Sequence, residues 1–274
     1  MNGKEHRLRA EAWLIEAADV GEEIRQVCRP DLCRPEIRLD AAIMLLGGKT
    51  LTAIEALRHL LPVGIDDQLG VIGRSQVETA IELLYLQTET VRPQRKACGP
   101  DIVLTPRIKG ELFTSHYPIH AHRLFGRLAA EADPELRRSQ GVRRDLRLAE
   151  HAPFWHCGGA TSPLKELEAA LGIDAEGLVL LKVSYQHLSA FTHPHPHLNK
   201  YLNTSSGPRS GADPDEVIHD SVVVEQSLCG VLQALRYWSQ YFDGASVDGL
   251  AKKYNELGMA SMDSAGSRIT SEQP

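Results

Sequence analysis

Several groups of residues in this chain have the types and the spacing that chemistry requires. In the stretch LVLLKVSYQHLSAFTHPHPH, from Leu178 to His197, a Tyr, a Ser and a His recur at four-residue steps as Tyr185, Ser189 and His193. Residues at i and i+4 share one helix face, so these three form a single polar line. Arg74 and Glu78 repeat the spacing in the first half of the chain, inside an otherwise apolar helical stretch. Read alone, that pair is a helix-surface ion pair worth a few tenths of a kcal/mol. Two histidine clusters, His193/His195/His197 and His116/His120/His122, hold imidazoles of the kind that bind transition metals.

The surroundings of these residues narrow the chemistry. A serine nucleophile needs a strained turn and an oxyanion hole, and Ser189 in mid-helix has neither. Its hydroxyl is expected to bond the carbonyl one turn back or to fix the tautomer of His193. Pro194 and Pro196 would disrupt a strand through the alternating histidines, so Pro194 is expected to end the helix with His193 as its last inward residue. Pro118 interrupts the other cluster, and no H-E-x-x-H pattern is present. No metal and no cofactor is therefore expected. The chain also lacks a Walker-type loop and a G-x-G-x-x-G turn.

The elements that must position these residues read as helices. Apolar residues recur at helical spacing over Glu5–Cys28, and again over Glu36–Leu61, where Gly47-Gly48 predicts a kink or turn between two helices. Asp66–Thr90 carries Arg74 and Glu78. Arg92–Pro100 reads as a basic loop, and Thr105-Pro106 as an N-cap opening a helix towards Ala132, bent at Pro118. Pro134–Glu150 is a basic helix, with Arg137, Arg138, Arg143, Arg144 and Arg147 on a solvated face or along a phosphate groove. His151–Thr161 is a turn-rich connector anchored by Trp155. Ser162-Pro163 starts a helix that Gly172 ends. Asp213-Pro214 caps a long helix to Phe242, a short one covers Val247–Leu257, and Met259–Pro274 reads as a disordered tail. No stretch shows strand alternation. The expectation is an all-α, multi-helix bundle with an N-terminal helical segment (1–64), a core carrying the motifs (65–242) and a terminal helix with its tail (243–274).

Composition agrees. The chain has 274 residues, 42% hydrophobic and 24% charged, and aromatics are sparse at 5%, which favours helix over strand. The net charge of −6 argues against a whole-surface nucleic-acid binder but leaves room for a local basic groove. The five cysteines are scattered and read as reduced thiols. With no apolar signal core at the N-terminus and no run of about 20 apolar residues, a cytoplasmic protein without membrane contact is expected.

Three elements in order carry a resemblance: Arg74-x-x-x-Glu78, the Trp155-His156 connector before a short helix ending at Gly172, and Tyr185-x-x-x-Ser189-x-x-x-His193-Pro194. Together they resemble a family of bacterial helical domains of unknown function that is similar in build to the HEPN (higher eukaryote and prokaryote nucleotide-binding) domains. The resemblance spans about Ile65 to Phe242. It implies that Arg74 and Glu78 meet Tyr185, Ser189 and His193 inside the bundle, with RNA or a nucleotide as ligand and a homodimer as the assembly. Many HEPN relatives are metal-independent ribonucleases of toxin or phage-defence type that use an Arg and a His from one helix. Here positions 186–188 hold Gln186, His187 and Leu188, so the activity would require Arg74 from a different helix. Two rival readings stand beside it. One is an interaction protein in which the Arg/Glu/Tyr/Ser/His cluster is a buried structural network. The other is a metal-dependent enzyme using the histidine clusters.

Overall fold

The structure, a computed structural model, describes residues 3–27, 38–63, 66–94, 100–116, 140–141, 143–146, 148, 154–157, 162–175, 177–192 and 214–269. The fold is all-α, a multi-helix bundle, and a two-stranded ribbon is its only β-structure among the described residues. Helix α1 spans Gly3–Val27, α2 Arg38–Leu60 and α3 Asp66–Gln87. Strands β1 (Thr90–Arg92) and β2 (Ile102–Leu104) follow, then α4 (Pro106–Thr114), α5 (Ser162–Leu171), α6 (Leu178–Thr192), α7 (Pro214–Phe242) and α8 (Asp248–Ile269). No helix among the described residues is long and apolar enough to cross a membrane.

The chain divides into two compact units, each assembled from separate segments. The first comprises Met1–Val27, Gly47–Ala80 and Val179–Pro274, and the second Cys28–Leu46 and Ile81–Leu178. In the first unit α1 packs on α7 and α8. Trp13 of α1 is buried there and its indole N–H donates to the Leu250 carbonyl at 3.0 Å. Helices α3 and α7 approach closely through small residues. A Cβ added at Gly230 would lie 2.8 Å from the Val77 amide nitrogen, and one at Gly73 would strike the Ser227 side chain. In the second unit β1 and β2 pair antiparallel, Val91 opposite Val103, and α5 packs on β1.

Several expectations are corrected. Gly47 and Gly48 do not break α2, which is continuous from Arg38 to Leu60. Glycine weakens a helix interior by about 1 kcal/mol, but at Gly47 it also makes room, since a Cβ there would sit 2.3 Å from the Trp238 ring. The β-ribbon was not expected, because strands of three residues are too short to display alternation. Arg92, read as part of a basic loop, lies in β1 with its side chain only 15% exposed.

The Thr105 N-cap is as expected, its hydroxyl accepting from the Ile108 amide, but α4 stops at Thr114 instead of running on. Thr114 bonds the Gly110 carbonyl at 2.9 Å and Ser115 the Leu112 carbonyl at 3.4 Å, side-chain bonds of the kind that compete with the helical ladder. Gly172, at φ +93°, follows the end of α5 as a C-cap. Helix α8 continues to Ile269, through a stretch expected to be disordered. That stretch lacks an apolar period, yet its Ala, Met, Ser and Arg residues tolerate a helix and no proline interrupts it before Pro274. Arg143, expected on a solvated basic face, is fully buried. Pro118 and Arg137, Arg138 and Arg147 lie outside the described residues.

Candidate functional site

Helices α3 and α6 bring three of the five expected site residues together in the first unit. Arg74 donates through Nε to Glu78 Oε1 at 3.2 Å, across one turn of α3. Its Nη2 reaches the Tyr185 hydroxyl of α6 at 3.5 Å, and the guanidinium carbon lies 5.3 Å from the centre of the Tyr185 ring. The Arg74 side chain is 14% exposed and that of Glu78 is 43% exposed. The guanidinium is thus mostly covered and lies over an aromatic ring, while its carboxylate partner is half-exposed. A cation over a tyrosine ring is worth from about 0.5 to 2 kcal/mol, more as water is excluded.

Ser189 points its hydroxyl back along α6 and donates to the Tyr185 carbonyl at 2.5 Å, the first of the two roles expected for it. That bond ties it to the same turn as Tyr185. His193 lies outside the described residues, as do His195, His197, His120 and His122. Chemically, the arrangement offers an oriented cation, a phenol and a solvated carboxylate at the border of one helix face.

A second polar cluster, in the second unit, was not foreseen. Glu166 of α5 is buried, and its carboxylate accepts from the Tyr85 hydroxyl at 2.5 Å, Thr90 Oγ1 at 3.2 Å and Arg92 Nε at 2.7 Å. Arg92 Nη2 also donates to the Tyr85 hydroxyl at 3.3 Å. Lys109 of α4, fully buried, donates to the carbonyl oxygens of Tyr85 and Thr88 at the C-terminal end of α3. Those carbonyls have no partner within the helix, and α3 carries no basic residue in its own last turn.

Burial dominates the electrostatics here. It pushes the Lys109 ammonium down to about 7, with Arg92 adding to the effect and Glu166 opposing it. It pushes the Tyr85 phenol up, reinforced by the Glu166 charge. His156, packed edge-on against Tyr85 and Trp155, is pushed down to about 4 by burial and then by Arg92.

The Trp155-His156 connector forms the wall of this cluster. Trp155 is buried against Tyr85 and Phe113, and its indole N–H donates to Glu82 at 3.0 Å. Cys157 follows at φ +58°, and burial raises its thiol although Arg143 and Arg92 oppose the rise. Arg143 Nη2 meets His116 Nδ1 at 3.0 Å. Lys109 and the Glu166 carboxylate are closed off from substrate, so the cluster clamps α3, α4, α5 and β1 to one another. No short sequence pattern could have found it, because its bonded pairs stand 7 to 81 residues apart and join four separate elements.

Among the described residues no group of three or more His, Cys, Asp or Glu side chains could hold a metal ion. Cys157 and Cys229, the cysteines among them, are unbridged. Compared with known proteins, the chain matches no family model, no curated protein and no solved structure.

Proposed function

We propose that this protein acts on RNA or a nucleotide as a HEPN-like, metal-independent ribonuclease of toxin or phage-defence type, working in the cytoplasm as a homodimer. The observation that supports this is the placement of Arg74. Its guanidinium is held against Tyr185 from a second helix while its Glu78 partner remains solvated. A cation fixed in that way is preorganised for an oxyanion. In the proposed reaction a ribose 2′-oxygen attacks the adjacent phosphorus, His193 takes the 2′-hydroxyl proton and Arg74 stabilises the phosphorane. His193 then passes that proton to the departing 5′-oxygen, giving a 2′,3′-cyclic phosphate and a 5′-hydroxyl. Tyr185 and Ser189 position the helix turn that precedes His193, and Glu78 orients Arg74.

The rival reading is an interaction protein in which the same residues fix helix register. It is favoured by the engagement of Arg74 with both Glu78 and Tyr185, and of the Ser189 hydroxyl with the Tyr185 carbonyl. One experiment separates the two: RNA cleavage by purified protein in chelator, with His193→Ala and Arg74→Ala compared at matched thermal stability. Cleavage that both substitutions abolish, in folded protein, supports the ribonuclease. An inactive wild type with both variants strongly destabilised supports the structural network.

A further inference from the structure

The contact between Arg74 and Tyr185 leaves donors over on both sides. Arg74 commits Nε to Glu78 and one proton of Nη2 to the Tyr185 oxygen. Its Nη1 has no hydrogen-bond partner among the described residues and is not sealed from solvent. A guanidinium has no acceptor of its own, so in this bond it donates and the phenol oxygen accepts. The Tyr185 O–H proton therefore points elsewhere. Among the described residues no acceptor receives it, and Tyr185 is only half-buried. Ser189 bonds the Tyr185 backbone carbonyl and leaves that proton untouched.

Two donors from two helices thus stand side by side, with Nη2 and the phenol oxygen 3.5 Å apart. The guanidinium carbon lies 5.3 Å from the ring centre, so each side chain fixes the direction of the other. One donor is charged, the other neutral, and both are oriented before a ligand arrives. That is the requirement for stabilising an oxyanion.

We infer that the Tyr185 phenol is a second oxyanion donor, bonding one non-bridging oxygen of the phosphorane while Arg74 Nη1 bonds the other. This rests on the ribonuclease reading proposed above and adds a catalytic residue to it. The phenol donates without giving up its proton, so His193 remains the group that moves one. Charge on these oxygens grows as the phosphorane forms, so the bond acts on rate more than on affinity.

The test uses Tyr185→Phe, which removes the hydroxyl and keeps the ring beneath Arg74. In chelator, its kcat for RNA cleavage is expected to fall about 10²–10³-fold, the usual loss for one oxyanion donor. Affinity for a 2′-O-methylated oligoribonucleotide, which cannot be cleaved, should stay within about two-fold of the wild type. A hydroxyl that merely positions Arg74 would also slow cleavage when removed, so sulfur is the deciding probe. A phosphorothioate at the scissile phosphate makes one non-bridging oxygen a poorer acceptor, a different one in each diastereomer. Both diastereomers should slow the wild type, and Tyr185→Phe should lose the effect for one of them only. If Tyr185→Phe cleaves at the wild-type rate, or is slowed with both sulfur effects intact, the Tyr185 assignment is overturned. The ribonuclease reading then still stands on Arg74→Ala and His193→Ala. A wild type indifferent to sulfur in both diastereomers overturns the assignment without any variant. If the wild type does not cleave RNA, both fall.

Discussion

Lys109 holds its ammonium 3.5 Å from the centre of the Tyr85 ring while donating to the carbonyl oxygens of Tyr85 and Thr88, at 2.8 and 2.6 Å. A residue of α4 thereby closes the C-terminal end of α3, where the helix has spare acceptors and a partial negative charge. The helix that carries Arg74 and Glu78 is finished by a buried cation from elsewhere in the chain.

That cation makes stability depend on pH. The folded-state value of Lys109 lies at about 7, below the ordinary 10.5. Between these values the unfolded chain binds more protons than the folded one, so stability rises with pH, by up to about 1.4 kcal/mol per unit. Comparing wild type with Lys109→Met by denaturant unfolding from pH 7 to 9 should show this slope in the wild type and its loss in the variant. The window stops below the range in which Tyr85 ionises in the unfolded chain. Equal slopes would mean that Lys109 is solvated in the native protein.

His156 acts at the acid end. Its folded-state value lies at about 4 against an ordinary 6.5. Its neutral form is favoured by folding, so its contribution is complete above pH 6.5 and is lost as pH falls towards 4. Acid unfolding of His156→Phe should therefore be shallower than that of the wild type over this interval. Parallel curves would rule out a buried neutral imidazole.

Glu166 is the hub of the second unit, and removing its charge leaves Arg92 in a largely buried setting. Glu166→Gln is expected to cost about 3 kcal/mol, in line with breaking one side of a buried ion pair. A loss below about 1 kcal/mol in urea titrations would show that water replaces the carboxylate there.

Gln76 on α3 is 1% exposed, and neither amide atom has a hydrogen-bond partner among the described residues. It lies where Gly230 of α7 approaches the backbone of Gln76 and Val77. Burying such a group without a bond costs about 1–3 kcal/mol. Gln76→Met, similar in shape and apolar, should raise stability by about 1–2 kcal/mol. A drop in melting temperature would instead reveal a buried water bonded to the amide.

Glu78 restrains Arg74 through a half-exposed contact, so its loss should cost little stability, within about 1 kcal/mol. Glu78→Gln leaves the guanidinium with an uncompensated charge. The expected result, on the RNA reading proposed above, is tighter binding of a 2′-O-methylated single-stranded oligoribonucleotide, which cannot be cleaved, several-fold at low salt and less at high salt. Weaker binding would make Glu78 a contact for the ligand.

What the sequence determined by itself was local. The all-α class, the Thr105 N-cap, the Gly172 C-cap, the Arg74–Glu78 pair and the back-bond of Ser189 all join residues within four positions, where helix geometry dictates which groups meet. The contact between Arg74 and Tyr185, 111 residues apart, came from a resemblance and not from spacing. What only the tertiary structure decided was non-local. Gly47 looked like a break until the Trp238 ring filled the space beside it. Arg143 read as a solvated charge, and Arg92 as part of a basic loop, until other segments folded over them. Periodicity records which way a side chain faces, but not which distant group it will meet. For a charge, that meeting decides whether it is buried at all.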